Sequence, residues 1–321
     1  MNIYGKPVPR AVERFGLQRK IVANMTTESW REIPHTAVIY EPDVTEFWAH
    51  WQKLRKTPEF RGVSINTVLL YACTMGLLAA PAMNAHLKYH HGTVSGKITQ
   101  FGAVNVSMPA TLPDGSMMTL NVHGCESKTL RALSDHVADL HRRMANTSID
   151  DVLFDVGWDN TIKLLKRGRI DVILGRLLGT KIGNGPIHKL KGAEKKAYKA
   201  LPDSEKLSKH DIEQGTVLIS NIGSIYRGAW NPPTIIEIIP PMVVALCVGG
   251  FNEKPGVVTR ADGTKAIEPR TYLPINIVMD HRAVDYSDIV PFCKRLDEVF
   301  ARPADMADWL EQNPASAQIS A

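Results

Sequence analysis

The stretch Met279-Asp280-His281-Arg282-Ala283-Val284-Asp285-Tyr286 sets an imidazole four residues before a carboxylate. An unperturbed imidazole titrates near pH 6.5, so His281 can accept a proton at neutrality and act as a general base. Asp285 at that spacing can fix the geometry around the ring. The same residues also allow a purely structural histidine–aspartate pair at a turn. A second stretch, Leu218-Ile219-Ser220-Asn221-Ile222-Gly223, ends an apolar run on a serine, a position that on its own reads as a turn or cap residue. The GxSxG pattern of a serine-hydrolase nucleophile elbow is missing, as is any glycine-rich loop with P-loop or dinucleotide-binding spacing. His86, His90 and His91 lack a Cys, Asp or Glu complement that would make a metal site, so they read as exposed loop histidines and no metal is expected.

These residues need a scaffold, and the apolar pattern supplies one. Ile275–Met279, Met242–Val248 and Thr216–Ile219 are short apolar runs of the kind that form buried strands. His281 then follows a strand directly, and Ser220 ends another. Lys97–Ser107 and Met117–Val122 read as further strands, separated by the turn signal Pro113-Asp114-Gly115. Ala261-Asp262-Gly263-Thr264 reads as a hairpin turn. Helices are expected over Val44–Leu54, Ser64–Leu78 and Lys128–Met144, and a last one with Ile289, Phe292, Cys293, Leu296, Val299 and Phe300 on its apolar face stops near Pro303. Long helices among strands that do not alternate as regular βαβ units predict an α/β layered sandwich rather than a doubly wound sheet.

With 321 residues, 44% of them hydrophobic and 22% charged, the chain can bury a large core and sits near the globular average. No run approaches the roughly 20 apolar residues of a membrane span, and Met1–Arg10 lacks the apolar stretch of a secretory signal, which predicts a cytoplasmic protein. The scattered Cys73, Cys125, Cys247 and Cys293 form no CxxC pair and read as buried free thiols. The net charge of +5 is uneven: residues 160–210 hold 13 Lys/Arg against 4 Asp/Glu. Within residues 150–212, Ile170, Ile173, Leu174, Leu177 and Leu178 follow helical spacing, so this region reads as a basic helical insertion within a single domain spanning 1–321. Its charge suits an anionic ligand, an acidic partner or a membrane surface, or is simply a solvated face.

Asp280-His281-Arg282-Ala283-Val284-Asp285 resembles the DHRxxD form of the HxxxD signature in dihydrolipoyl acyltransferases and is similar to the HHxxxDG of chloramphenicol acetyltransferase. Further stretches resemble that family in the same order: Ile33-Pro34-His35 with Asp43-Val44-Thr45, Met83-Asn84-Ala85, Pro113-Asp114-Gly115, Leu218 to Gly223, and Pro240-Pro241. Together they cover roughly residues 17–147 and 213–311. The resemblance implies a chloramphenicol acetyltransferase-like layered sandwich with a mixed β-sheet and flanking helices. It implies an acyltransferase that uses coenzyme A or acyl-CoA as substrate and works through a ternary complex without an acyl-enzyme. His281 would be the general base, Ser220 the hydrogen-bond donor to the tetrahedral oxyanion, and Asp285 an orienting residue. In that family serine and histidine come from neighbouring subunits, so a homotrimer or a multiple of trimers is implied. The acceptor would be a thiol, hydroxyl or amine, either a small molecule or carrier-bound, and no nucleic acid partner is expected.

Three departures qualify the resemblance. Tyr286 stands where the family usually has glycine. Neither a lipoyl domain nor a peripheral subunit-binding domain is read ahead of the catalytic region, so no covalently attached lipoyl group is expected. Residues 150–212 occupy what is elsewhere a short connection. These departures leave a catalytically silent trimeric scaffold, binding a partner through the basic region, as the alternative to an enzyme.

Overall fold

The computed structural model describes residues 9–112, 117–148, 190–225 and 231–317. The chain forms two compact units, one of Met1–Thr27 with Asn146–Lys209 and the other of Glu28–Ala145 with His210–Ala321. The strands are β1 (His35–Tyr40), β2 (Ala85–His90), β3 (Ser95–Gln100), β4 (Val106–Thr111), β5 (Met117–Val122), β6 (Val217–Asn221), β7 (Val244–Val248), β8 (Asn252–Thr259), β9 (Lys265–Tyr272) and β10 (Ile275–Asp280). The helices include α1 (Leu17–Glu32), α2 (Thr45–Leu54), α3 (Ile65–Ala79), α4 (Leu130–Ala145), α5 (Gly192–Ala200), the single turn α6 (Lys209–Ile212) and α7 (Tyr286–Ala301).

The second unit is built on a six-stranded sheet ordered β1-β10-β7-β6-β4-β5. β6 runs parallel to β4 and β7, whereas β10 is antiparallel to β1 and β7, and β5 to β4. This is the layered α/β arrangement with a mixed sheet expected from the sequence. β7 and β10 are buried along their whole length, so neither shows the alternation of a half-buried strand; β7 is apolar throughout, and β10 is apolar except at Asn276 and Asp280.

Helices cover one face of the sheet. α3 is buried from Thr67 to Leu77, which is why its sequence is apolar all round rather than striped. Gly76 lets α3 and α7 approach closely, because a Cβ there would lie 2.6 Å from the Phe292 ring. Tyr40 ties β1 to the same layer by donating its hydroxyl hydrogen to the Asp297 carboxylate at 2.5 Å. On the opposite face, Leu218, Ala245 and Val278 from three adjacent strands pack against Ile33, Ile238 and Met242.

Two separate hairpins, β2–β3 and β8–β9, are inserted in sequence between strands of this sheet, the first between β1 and β4 and the second between β7 and β10. The second closes through the expected turn, where Gly263 adopts φ +82° and its N–H donates to the Arg260 carbonyl at 2.9 Å. The expected strand over Lys97–Ser107 is in fact two: the chain leaves β3 at Gln100 and enters β4, in a different sheet, at Val106. The amide of Asn84 causes the break, donating to the carbonyls of Phe101 (2.8 Å) and Ala103 (3.0 Å) and so holding the linker in a turn. All four cysteines are free, with Cys73, Cys125 and Cys247 buried and Cys293 half-buried. Burial pushes the thiols of Cys73 and Cys125 up to about 12.

In the first unit, α5 is followed by a segment in which the Lys206 ammonium lies 5.2 Å from the Tyr198 ring centroid and the Leu207 N–H donates to the Thr147 hydroxyl at 2.8 Å. The amphipathic stretch from Ile170 to Leu178 and the Pro113-Asp114-Gly115 turn lie outside the described residues. Among the described residues, no helix is long and apolar enough to cross a membrane.

Candidate active site

His281 is the first residue beyond β10, and its backbone N–H donates to the Pro34 carbonyl at 3.2 Å. The turn it occupies is anchored on Asp280, which is only 1% exposed. A buried carboxylate must have its charge met. Asp280 is met three times by Arg282, which donates from its backbone N–H at 3.1 Å, from Nε at 2.9 Å and from Nη2 at 2.7 Å. Hydrogen bonding to Asp280 in turn holds the Arg282 pKa above the ordinary arginine value, and the guanidinium lies 5.2 Å from the Tyr89 ring centroid. The turn carrying His281 is therefore fixed by a buried ion pair on one side and by the Ile33-Pro34-His35 strip on the other.

His281 Nδ1 lies 3.3 Å from the Val284 carbonyl oxygen and 3.3 Å from Asp285 Oδ1. A carbonyl can only accept, so Nδ1 carries the ring proton and Nε2 keeps its lone pair. That is the tautomer a general base needs, on a side chain that is half-exposed at 50%. Asp285 does lie within reach of His281, as the spacing suggested, but it is shared with another duty. It precedes α7 as the N-cap, and its N–H donates to the Asp288 carboxylate at 2.8 Å. The Val284 carbonyl and the Asp280–Arg282 pair were not singled out from sequence, although both belong to the motif that was. Tyr286, the first residue of α7, is 61% exposed.

Ser220 sits near the end of β6 and is 9% exposed, and its hydroxyl makes no hydrogen bond among the described residues. Three residues on, Gly223 lies against the end of β7, where a Cβ would come within 2.5 Å of the Gly249 carbonyl oxygen. Only glycine permits that approach, which sets how the chain leaves the serine strand.

Ser220 and His281 are not brought together within the chain. Ser220 pairs with Cys247, and Cys247 pairs with Asn276, five residues ahead of His281. Two strand spacings across and five residues along put the two roughly 20 Å apart. Residues in register share a face of the sheet, so Ser220, Cys247, Asn276 and Ile39 form one row across β6, β7, β10 and β1.

His35 and His86 make contacts within the scaffold. His35 Nε2 accepts from the Ile238 N–H at 3.1 Å, so Nδ1 must donate to the Ile33 carbonyl at 2.9 Å, and the ring stacks on Trp30 at 4.5 Å. His86 and His90 lie on β2 rather than in a loop. His86 donates from Nε2 to the Gly215 carbonyl at 3.0 Å, and burial lowers its pKa. No group of three or more metal-ligating side chains forms among the described residues.

The sequence matches the family described as 2-oxoacid dehydrogenases acyltransferase (catalytic domain) over residues 8–152 and 192–307, well over half of the chain. The chain belongs to that family. Among curated acyltransferase relatives, it is 29% identical over 103 residues to the lipoamide acyltransferase component of the branched-chain alpha-keto acid dehydrogenase complex of Arabidopsis thaliana, covering 32% of this chain and 20% of the relative. It is 22% identical over 276 residues to the dihydrolipoyllysine-residue acetyltransferase component of the pyruvate dehydrogenase complex of Pseudomonas aeruginosa, covering 85% of this chain and 37% of the relative. The acyltransferase region thus spans only a fifth to somewhat over a third of those two relatives. Among solved acyltransferase structures, a probable dihydrolipoamide acetyltransferase from Listeria monocytogenes superposes with a TM-score of 0.59 at 16% identity, covering 93% of this chain and 95% of that one. The cubic core of the pyruvate dehydrogenase multienzyme complex gives 0.59 at 20% identity, covering 94% and 99%. These likenesses establish the acyltransferase fold.

Proposed function

We propose that this protein transfers an acyl group between coenzyme A and a thiol, hydroxyl or amine acceptor, at a site shared between copies of the chain. The observation that carries the reading is the hydrogen bond geometry of His281, whose Nδ1 is held by the Val284 carbonyl so that Nε2 is free to accept a proton. The unbonded hydroxyl of Ser220 suits the second task, donation to an oxyanion. A thioester substrate fits this pair, because it needs a base for the incoming nucleophile and a donor for the carbonyl oxygen.

In the reaction with a thiol acceptor, His281 Nε2 removes the S–H proton as sulfur attacks the thioester carbonyl. Ser220 of a neighbouring copy donates to the oxyanion of the tetrahedral intermediate. Collapse of the intermediate breaks the carbon–sulfur bond to coenzyme A, and His281 returns its proton to the departing thiolate. One thioester and one thiol enter, and one of each leaves. Asp285 positions His281 rather than acting as a second base.

The family membership and the cubic-core neighbour support assembly as trimers or multiples of trimers. In a dihydrolipoamide acetyltransferase of Azotobacter vinelandii, a serine, a histidine and an asparagine have been investigated for their roles in the catalytic mechanism. Ser220 and His281 share two of those residue types. The basic residues Lys191, Lys195, Lys196 and Lys199 fit an anionic ligand such as the coenzyme phosphates.

The direct test is acetyl transfer from acetyl-CoA to dihydrolipoamide by wild type and His281→Ala. The expected loss in the variant is about 10²–10⁴-fold, the range for a positioned general base, with the fold and oligomer intact. Near-normal turnover would overturn the reading.

A further inference from the structure

Asp280 and Arg282 are neighbours in one short stretch, so the guanidinium end of their pair needs a partner from elsewhere in the fold to fix it. Arg282 directs Nε and Nη2, which lie in the guanidinium plane, at the Asp280 carboxylate. The flat face of the cation is left over, and such a face is weakly hydrated and suits an aromatic ring. Tyr89 of β2 supplies one, with the guanidinium carbon 5.2 Å from its ring centroid. The Arg282 side chain is largely buried, so little water competes for this contact.

Tyr89 belongs to a different sheet from the His281 turn and is itself held in place. It pairs with Gly96 across the β2–β3 hairpin. A Cβ on Gly96 would lie 2.8 Å from the Lys88 carbonyl oxygen and 3.4 Å from Tyr89 Cδ2, so only glycine lets β3 lie this close to the tyrosine. His91 meets the Tyr89 ring in a T-shaped contact at 4.8 Å. Just ahead of Tyr89, the Leu87 N–H donates to the Pro241 carbonyl at 2.8 Å and His86 Nε2 to the Gly215 carbonyl at 3.0 Å. These bonds tie β2 to the body of the unit, while Tyr89 reaches the turn that carries His281.

We infer that Tyr89 is a positioning residue for acyl transfer: the face of its ring holds the Arg282 guanidinium, and through the Asp280–Arg282 pair it holds the turn that presents His281 to the substrate. The inference rests on the proposed function, since the placement of His281 governs a rate only if His281 is the base. Tyr89 acts through Arg282 rather than on the reacting atoms. What the task requires is a ring face, which phenylalanine shares and leucine lacks.

The experiment compares wild type with Tyr89→Phe and Tyr89→Leu as the full chain, by urea unfolding and by kcat and KM for acetyl-CoA with dihydrolipoamide as acceptor, under conditions where unfolding curves show each protein folded. Tyr89→Leu is expected to lower kcat about 3–30-fold, the factor a cation–π contact can impose on the ordered turn, with KM unchanged. Tyr89→Phe should keep kcat within about twofold of wild type. Both substitutions are repeated with Arg282→Gln, which removes the cation, and there the Phe and Leu variants should have the same kcat. If Tyr89→Leu does not fold, Tyr89→Met, also without a ring, takes its place; if Arg282→Gln does not fold, the contrast between Phe and Leu decides alone. A Tyr89→Leu kcat within about twofold of wild type, an equal loss in Tyr89→Phe, a change confined to KM, or a Leu effect that persists with Arg282→Gln overturns the inference. If wild type transfers no acyl group, the proposed function itself falls, an outcome distinct from an active enzyme indifferent to Tyr89.

Discussion

Ser220 and His281 lie towards opposite ends of the central strand β7: the serine pairs with Cys247 near its end, while the Asp280 N–H ahead of the histidine donates to the Val243 carbonyl just before its start. A base and an oxyanion donor must both come within hydrogen-bond distance of one reacting centre. A separation of roughly 20 Å prevents that inside one chain, so joint action of the two residues requires two copies.

Ser220→Ala is expected to lower kcat by about 10²–10³-fold with little change in KM, since an oxyanion donor acts on the transition state. Steady-state kinetics with acetyl-CoA and dihydrolipoamide read this directly. A change confined to KM would make Ser220 a ground-state binding residue.

Arg282→Ala removes all the side-chain hydrogen bonds that Arg282 gives to a carboxylate exposed by only 1%. Breaking a buried pair by deleting one partner typically costs about 3–5 kcal/mol, and we expect a loss in that range by urea denaturation. Arg282→Ala with Asp280→Asn in the same chain should recover part of it. Stability within ~0.5 kcal/mol of wild type would show that the pair does not anchor the His281 turn.

Acid should destabilise the second unit through its histidines. Burial lowers the pKa of His86, His123, His136 and His141 below the ordinary value of 6.5, and His136 Nε2 is buried without a partner. Below pH 6.5 the unfolded chain then binds more protons than the folded one. The stability these neutral rings contribute is complete above that pH and is lost as pH falls towards their folded values. Urea midpoints should drop between pH 7.5 and 5.5, and drop less in His136→Leu. A midpoint that stays flat over this interval contradicts the burial of these rings as neutral groups.

Much of this arrangement is legible in the sequence where residue type and period agree. β7 announces itself as a continuous apolar run, β10 as one broken only at Asn276 before it ends on Asp280, and α7 by its apolar stripe from Ile289 to Phe300. The hairpin turn at Gly263 is fixed by local chemistry alone. Other elements depend on partners distant in the chain. β1 is an edge strand with only half-buried and exposed positions, so its short sequence lacks a clear alternation. α1 is polar over much of its surface and carries no acidic residue in its first turn to mark its start. The break between β3 and β4 arises from the side chain of Asn84, 17 residues before Phe101. At the candidate site, His281 and Asp285 can be picked out by type and spacing, whereas Ser220 is singled out only by the family resemblance of Leu218 to Gly223. The unpaired Oδ1 of Asn276 cannot be picked out, because it depends on what the surrounding chain fails to provide.

The most direct measurement mixes His281→Ala and Ser220→Ala proteins, each inactive alone, exchanges their subunits by mild dissociation and reassembly, and assays acetyl transfer. If base and oxyanion donor come from different copies, mixed oligomers contain interfaces with both wild-type residues, and activity should return to a substantial fraction of wild type. Mixtures that reassemble into hybrid oligomers yet remain as inactive as either parent would contradict a site shared between His281 and Ser220.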